Sequence, residues 1–329
     1  MLRLVLRVMD RSPDGKLTVQ ESPAKLHPPP EGTLRWVDLT DAGADLLERL
    51  RTGFDFHPLA IEDCRQFDQR PKLEEYRDHL FLVTQGFSCP SEHLSKMTLH
   101  ELHAFLGATY LVTVHADTLP AIDETWQRVL SNPNALERGV DFIYYLIESR
   151  MVDGNQPILD RITDQLEELE DSVLGRPDKR DLAQIFDLKR RLVMLRKVLS
   201  PQRDTVAMLA RRGEGRVSEQ TSHYFRDVYD QLVRLNESIE ANRDLLGNAL
   251  DAYLSAVSNR TNEIMKYLTL LSAVFLPLAF VVGFFGQNFE SLPGFPHWTQ
   301  SEPLMHFMLG LCAFTPVVMV AWFRYRDWI

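Results

Sequence analysis

Two stretches of the chain carry no charged residue: 267–289 reads YLTLLSAVFLPLAFVVGFFGQNF and 303–323 reads PLMHFMLGLCAFTPVVMVAWF. Each is long enough to cross a bilayer as a helix. Lying together and separated by a short polar loop, they predict two transmembrane helices rather than a buried hairpin. Pro277 and Pro316 interrupt them, which lipid tolerates where neighbouring groups or local distortion re-satisfy the freed carbonyls. Upstream the pattern is different. LRLVLRV, GKLTV, LRWVDL, HLFLVTQGF and TYLVTVH read as strands and DLLERL as a short helix, with helices again at TWQRVL and DFIYYLIESRMVD. This predicts an α/β domain over 1–155.

From Asp160 onward the apolar spacing becomes helical: RITDQLEELEDSVL, a break at Gly175-Arg176-Pro177, a second helix over DLAQIFDLKRRLVMLRKVL, and a break at Arg212-Gly213-Glu214-Gly215. No proline then occurs until Pro277. One helix of about sixty residues, roughly 90 Å at about 1.5 Å per residue, can therefore run from near Val217 into the first apolar stretch. Along it Phe225, Val228, Leu232, Leu235, Ile239, Asn242, Leu246, Ala249, Tyr253 and Ala256 recur at alternating spacings of three and four. Such a stripe requires a partner: earlier helices of the same chain, another subunit, or both. The predicted organisation is a cytoplasmic α/β domain (1–155), a helical stalk (156–265), transmembrane helix 1 (266–289), an outer loop (290–302), transmembrane helix 2 (303–323) and a tail (324–329).

Orientation follows from the flanks. Arg260 and Lys266 precede the first span and Arg324 and Arg326 follow the second, while the loop between holds Glu290 and Glu302 but no Lys or Arg. Both termini are therefore expected in the cytoplasm, in a cell inner membrane. MLRLVLRVMD has charges within it and no cleavage site after it, so no signal peptide is expected. Over the full 329 residues, 36 Lys and Arg face 46 Asp and Glu, a net charge of −10, which argues against nucleic acid as a partner. The mean hydropathy is that of a soluble protein, because a charged body is averaged with the two apolar spans. Cys64, Cys89 and Cys312 have no CxxC spacing, so neither a disulfide framework nor a thiolate zinc site is expected. The run His27-Pro28-Pro29-Pro30 reads as a linker.

Two spans cannot enclose a path, so transport through them requires several copies around an axis. The first span and its cytoplasmic extension are the natural lining. Asn262, Thr269, Ser272 and Ala273 leave room beside Met265, Leu268 and Leu276, whose side chains in rings would close a pore by excluding water. The apolar run ends in Gly286-Gln287-Asn288. A ring of Asn288 carbonyl oxygens could accept hydrogen bonds from the water shell of Mg2+, which dehydrates reluctantly; Asn288 fits a helix C-cap equally well. Glu290 would draw cations to the mouth or keep the loop hydrated. The chain contains no GxxxxGK[ST], HExxH, GxSxG or GxGxxG, so no enzyme chemistry or catalytic cofactor is expected. His93, His100 and His103 lie close together but read as ordinary histidines.

HPLAIEDCRQFDQRPKLEEYRDHLFLV, TYLVTVH, HYFRDVYDQLVRL and the segment LDAYLSAVSNRTNEIMKYLTLLSAVFLPLAFVVGFFGQNFESLP together resemble the CorA family of divalent-cation channels over most of the chain. That resemblance implies a funnel-shaped homopentamer in the lipid bilayer that passes Mg2+, and Co2+ or Ni2+ beside it. The first transmembrane helix would line the pore. It further implies that Gly286, Gln287 and Asn288 form the outer filter, Asn262 a polar ring, and Met265, Leu268 and Leu276 the gate. Asp63 and Asp227 would hold regulatory Mg2+ between cytoplasmic domains, with Asp251 facing the pore deeper in the funnel. Gln287 stands where the family has the Met of Gly-Met-Asn. The related ZntB zinc-transporter branch also departs there, so Zn2+ transport is the alternative, with a membrane-anchored sensor or scaffold as a third reading.

Overall fold

The computed structural model describes residues 5–23, 25–89, 91, 93–175, 177–211, 215–286, 302–326 and 328. They belong to two compact units, Met1–Asp251 and Ala252–Ile329. The first opens with β1 (Val5–Arg11), β2 (Leu17–Glu21) and β3 (Leu34–Thr40), then α1 (Ala44–Phe54) and α2 (Pro58–Asp63). Strands β4 (Lys72–Glu75), β5 (His79–Ser88), β6 (Thr98–Gly107) and β7 (Tyr110–His115) follow. Helices α3 (Pro120–Ser131), α4 (Asn134–Glu137), α5 (Val140–Asp153), α6 (Gln156–Gly175), α7 (Lys179–Ala210) and α8 (Glu219–Phe285) come next, α8 continuing into the second unit.

The seven strands form one sheet in the order β2-β1-β3-β7-β6-β5-β4, with β3 and β7 parallel and every other neighbour antiparallel. Alternation along β3 shows why its residues are buried on both faces. Val37 and Leu39 join Leu46, Leu47 and Leu50 of α1 and Ile61 of α2 in one core. Trp36 and Asp38 point the other way, where Trp36 packs 4.8 Å, ring to ring, from Trp126 of α3. A sheet covered on both sides selects apolar runs rather than alternation, and residues 79–87 of β5 are all buried. Gly53 lies in α1 because a Cβ there would fall 1.8 Å from the Leu26 carbonyl oxygen.

β6 is a central strand that the alternation pattern does not reveal. Its polar residues interrupt the apolar sequence, yet they have partners: His100 Nε2 lies 2.7 Å from Ser88 Oγ, and His103 Nε2 lies 2.6 Å from Glu101 Oε1. A second buried polar group fixes α5 and α7 on the sheet. Glu148 accepts from Thr84 Oγ1 at 2.8 Å and Gln202 Nε2 at 2.9 Å, with Tyr144 Oη at 3.2 Å. Burial raises the Glu148 carboxyl above the ordinary range, against the effect of these hydrogen bonds.

Asp178 caps α7 by accepting from Lys179 N, and Asp181 accepts from Asp178 N, a reciprocal pair that satisfies donors at the helix start. The helix continues through Pro201 to Ala210, eleven residues past Leu199, where apolar periodicity fades. Burial of Gln202, Thr205, Val206 and Leu209 continues the inward spacing, which offsets the hydrogen bond that proline removes. The stripe on α8 is buried from Phe225 through Tyr253, and Ala256 is half-buried. Its partners include helices of the same chain. Asn242 Nδ2 donates to Thr163 Oγ1 of α6 at 3.0 Å, and Asn236 Nδ2 to the Leu199 carbonyl of α7 at 3.3 Å.

In the second unit, α8 and α9 (Glu302–Tyr325) are each long and apolar enough to cross a bilayer, with little of the apolar surface buried within the chain. Pro277 and Pro316 both lie inside these helices rather than ending them.

Candidate functional site

On α8, Asn262, Met265, Leu268 and Leu276 are all exposed. Asn262, Met265, Thr269, Ser272 and Leu276 recur at spacings of three and four, so they share one face of the helix. Thr269, exposed on that face, turns its hydroxyl back to the Met265 carbonyl at 2.8 Å. Polar and bulky apolar side chains thus share this face, with Thr269 and Ser272 between Met265 and Leu276. At its end Gly286 donates its backbone N–H to the Val282 carbonyl at 2.8 Å. A Cβ on Gly286 would come within 2.8 Å of that same oxygen. Gln287, Asn288 and Glu290 lie outside the described residues.

The three acidic candidates differ in their surroundings. Asp227 and Asp251 are exposed on α8. Burial pushes the phenol of Tyr145 on α5 up against the lowering effect of the Ser149 hydrogen bond, and the charge of Asp227 adds to the rise. Asp63, the last residue of α2, is not free: Lys72 Nζ donates to its Oδ2 at 2.7 Å. The same ammonium donates to Glu74 Oε1 at 2.5 Å, and Tyr76 Oη donates to Glu74 Oε2 at 2.9 Å. Burial opposes the charge on Lys72, but the two carboxylates outweigh it and hold its pKa above the usual lysine value. Burial and Glu74 push Tyr76 up to about 12, so its phenol remains a donor.

Lys72 and Glu74 lie two residues apart on β4 and therefore on one side of the strand. Sequence reasoning assigned them no role; the signal for them is this i, i+2 pair of opposite charge in the QRPKLEE segment. The HP, ED and QRPK segments converge here. His57 caps α2, its Nδ1 accepting from Leu59 N, and stacks on Tyr76 at 5.3 Å. Glu62-Asp63 ends that helix, and Lys72 starts β4. Among the described residues no group of three or more His, Cys, Asp or Glu side chains is arranged to hold a metal ion. Asp63, Asp227 and Asp251 therefore do not form such a group within one chain.

Against known proteins, the family described as "CorA-like Mg2+ transporter protein" matches residues 31–325. YfjQ of Bacillus subtilis is 36% identical over 298 residues, which cover 89% of each chain. The cobalt/magnesium transport protein CorA of Thermotoga maritima is 32% identical over 299 residues, covering 90% of this chain and 84% of its own. Among solved structures, the CorA magnesium transporter of Methanocaldococcus jannaschii shares the fold, with a TM-score of 0.81 at 23% identity and both chains fully covered. A family match that extends from the α/β unit through both apolar helices shows that this chain belongs to the CorA-like Mg2+ transporter family.

Proposed function

We propose that the chain transports divalent cations, Mg2+ foremost, through the axis of a homopentamer in the cell inner membrane, with both termini in the cytoplasm. The observation that carries this reading is the family match over 31–325. In the assembly, 266–289 lines the pore and 303–323 lies outside it. The soluble residues form a funnel, with the α/β part over 1–155 and the helical stalk over 156–265. Asn262 forms a polar ring, Met265, Leu268 and Leu276 form the gate, and Asp251 faces the axis. At the outer end Gly286, Gln287 and Asn288 meet the hydrated ion, and Glu290 draws cations to the mouth.

Regulation follows from charge. Carboxylates of Asp63 and Asp227 on adjacent subunits repel one another unless a divalent cation lies between them, so high cytoplasmic Mg2+ favours the closed assembly. Entry needs no covalent step: a divalent ion gains about 4.6 kcal/mol per 100 mV of inside-negative potential, twice the single-charge value. Flux of Mg2+, Co2+, Ni2+ and Zn2+ into liposomes holding the full-length protein tests the reading. Asn288→Ala is expected to abolish selective flux. Intact selectivity in that variant refutes the filter, a preference for Zn2+ favours a transporter of the ZntB type, and absence of flux for every divalent cation favours a membrane-anchored scaffold.

A further inference from the structure

The contact between Lys72 and Asp63 bears on how much Mg2+ the regulated state requires. Lys72 is a constrained lysine. Its backbone pairs with Val83 of β5, its Nζ lies 5.7 Å from the centre of the Phe81 ring, and two carboxylates accept from it at 2.7 and 2.5 Å. Its side chain is 31% exposed, against 21% for Asp63. The ammonium therefore places a resident positive charge on one carboxylate oxygen of Asp63, Oδ2. Glu74, the second acceptor, is held by the Tyr76 hydroxyl.

We propose that Lys72 is a built-in competitor of Mg2+ for the Asp63 carboxylate and so sets the Mg2+ concentration at which the assembly closes. The inference rests on the reading that Asp63 takes part in the Mg2+-dependent contact. Mg2+ is a hard cation that binds carboxylate oxygen directly or through its water shell, and a lysine ammonium at hydrogen-bond distance repels it from that oxygen. Exchange is feasible because the ammonium has a second partner. When Mg2+ takes Asp63, Lys72 keeps Glu74 and is not left as an uncompensated charge. The pair Asp63 and Glu74 thus acts as a two-position holder for one lysine, and the position of the lysine determines whether Asp63 is available.

The two neighbours of the ammonium should then have opposite effects. Removing the competitor in Lys72→Gln is expected to lower the Mg2+ concentration for half-closure by about two- to fivefold, the scale of a partly exposed ion pair. Removing the alternative partner in Glu74→Gln leaves Lys72 with Asp63 alone and is expected to raise that concentration. Lys72→Arg keeps the charge and should stay near the parent value. Loosened packing would move the Lys72→Gln and Glu74→Gln variants in the same direction, so the opposed signs separate competition from a structural effect.

The test titrates Mg2+ alone against full-length protein in lipid nanodiscs and reads protection of the soluble unit from limited proteolysis. Opposed shifts for Lys72→Gln and Glu74→Gln, with Lys72→Arg unmoved, support the proposal. An unchanged or raised midpoint in Lys72→Gln overturns it, as do shifts of the same sign in both variants. Asp63→Ala separates the two levels. If it removes the Mg2+ response while Lys72→Gln does nothing, only the competitor role fails; if it leaves the midpoint unchanged, the regulatory reading of Asp63 fails and the competitor role with it.

Discussion

Replacing Glu148 tests whether the buried polar network, rather than apolar packing alone, holds α5 and α7 to the sheet. In Glu148→Ala, the Gln202 amide at 2.9 Å loses its acceptor where water does not reach, and so does one of the Thr84 and Tyr144 hydroxyls, because these two can still hydrogen-bond each other at 2.6 Å. Stranded donors cost about 1–3 kcal/mol each, so the variant should lose about 3–5 kcal/mol, or about 8–15 °C in melting temperature for a unit of this size. Glu148→Gln keeps an acceptor oxygen and should fall within about 1 kcal/mol of the parent. The sign of the pH effect separates the two variants further. Because burial raises the Glu148 carboxyl in the folded state, its contribution is fully present below the unfolded value of about 4.3 and is lost as pH rises through the folded one. The Gln variant has no such loss and should gain on the parent as pH rises above that unfolded value. Thermal unfolding of the full-length protein in detergent, followed by tryptophan fluorescence, reads both effects, since Trp36 and Trp126 are buried in this unit. An alanine variant within about 2 °C of the parent, or a Gln variant equally damaged at pH 8, would refute the reasoning.

Two further substitutions bear on the α/β unit. His115 Nε2 faces buried Asp38 at 3.1 Å; burial lowers the imidazole pKa, but the carboxylate overcomes this and raises it, while Asp38 itself is held low. The His115 contribution is thus complete below about pH 6.5 and lost as pH rises through its raised folded value, whereas that of Asp38 is lost only in acid. His115→Gln should cost about 1.5–3 kcal/mol at pH 6 and flatten the decline in melting temperature toward pH 9; an unchanged slope counts against the pair. Gly53→Ala forces a Cβ onto the Leu26 carbonyl and should cost about 1–3 kcal/mol, measured by the same unfolding curve, with no loss contradicting the close approach.

Much of the architecture is legible from patterning. The two charge-free runs identify the apolar helices, the three-and-four stripe from Phe225 identifies the buried face of α8, and the apolar runs at 79–87 and 109–115 lie in or overlap two of the buried strands. β6 is hidden because its polar side chains are buried against partners that its alternation does not show: His100 reaches Ser88 on the neighbouring strand β5, and His103 pairs with Glu101 on β6 itself. The course of α7 through Pro201 is hidden for a similar reason: the burial that stabilises it involves Gln202 and Thr205, which do not read as core residues. At the candidate site, the spacing of Asn262, Met265 and Leu276 on one helix face can be read directly. The pairing of Asp63 with Lys72 cannot, because it depends on how the end of α2 meets the edge strand β4.

The most direct test of the central claim is Mg2+ uptake by liposomes containing only the full-length protein, with an inside-negative potential imposed and no nucleotide present. Uptake that rises with the imposed potential, on the scale of about 4.6 kcal/mol per 100 mV for two charges, is the expected result. Absence of uptake at any potential, or uptake that begins only when ATP is added, would contradict a passive divalent-cation pore.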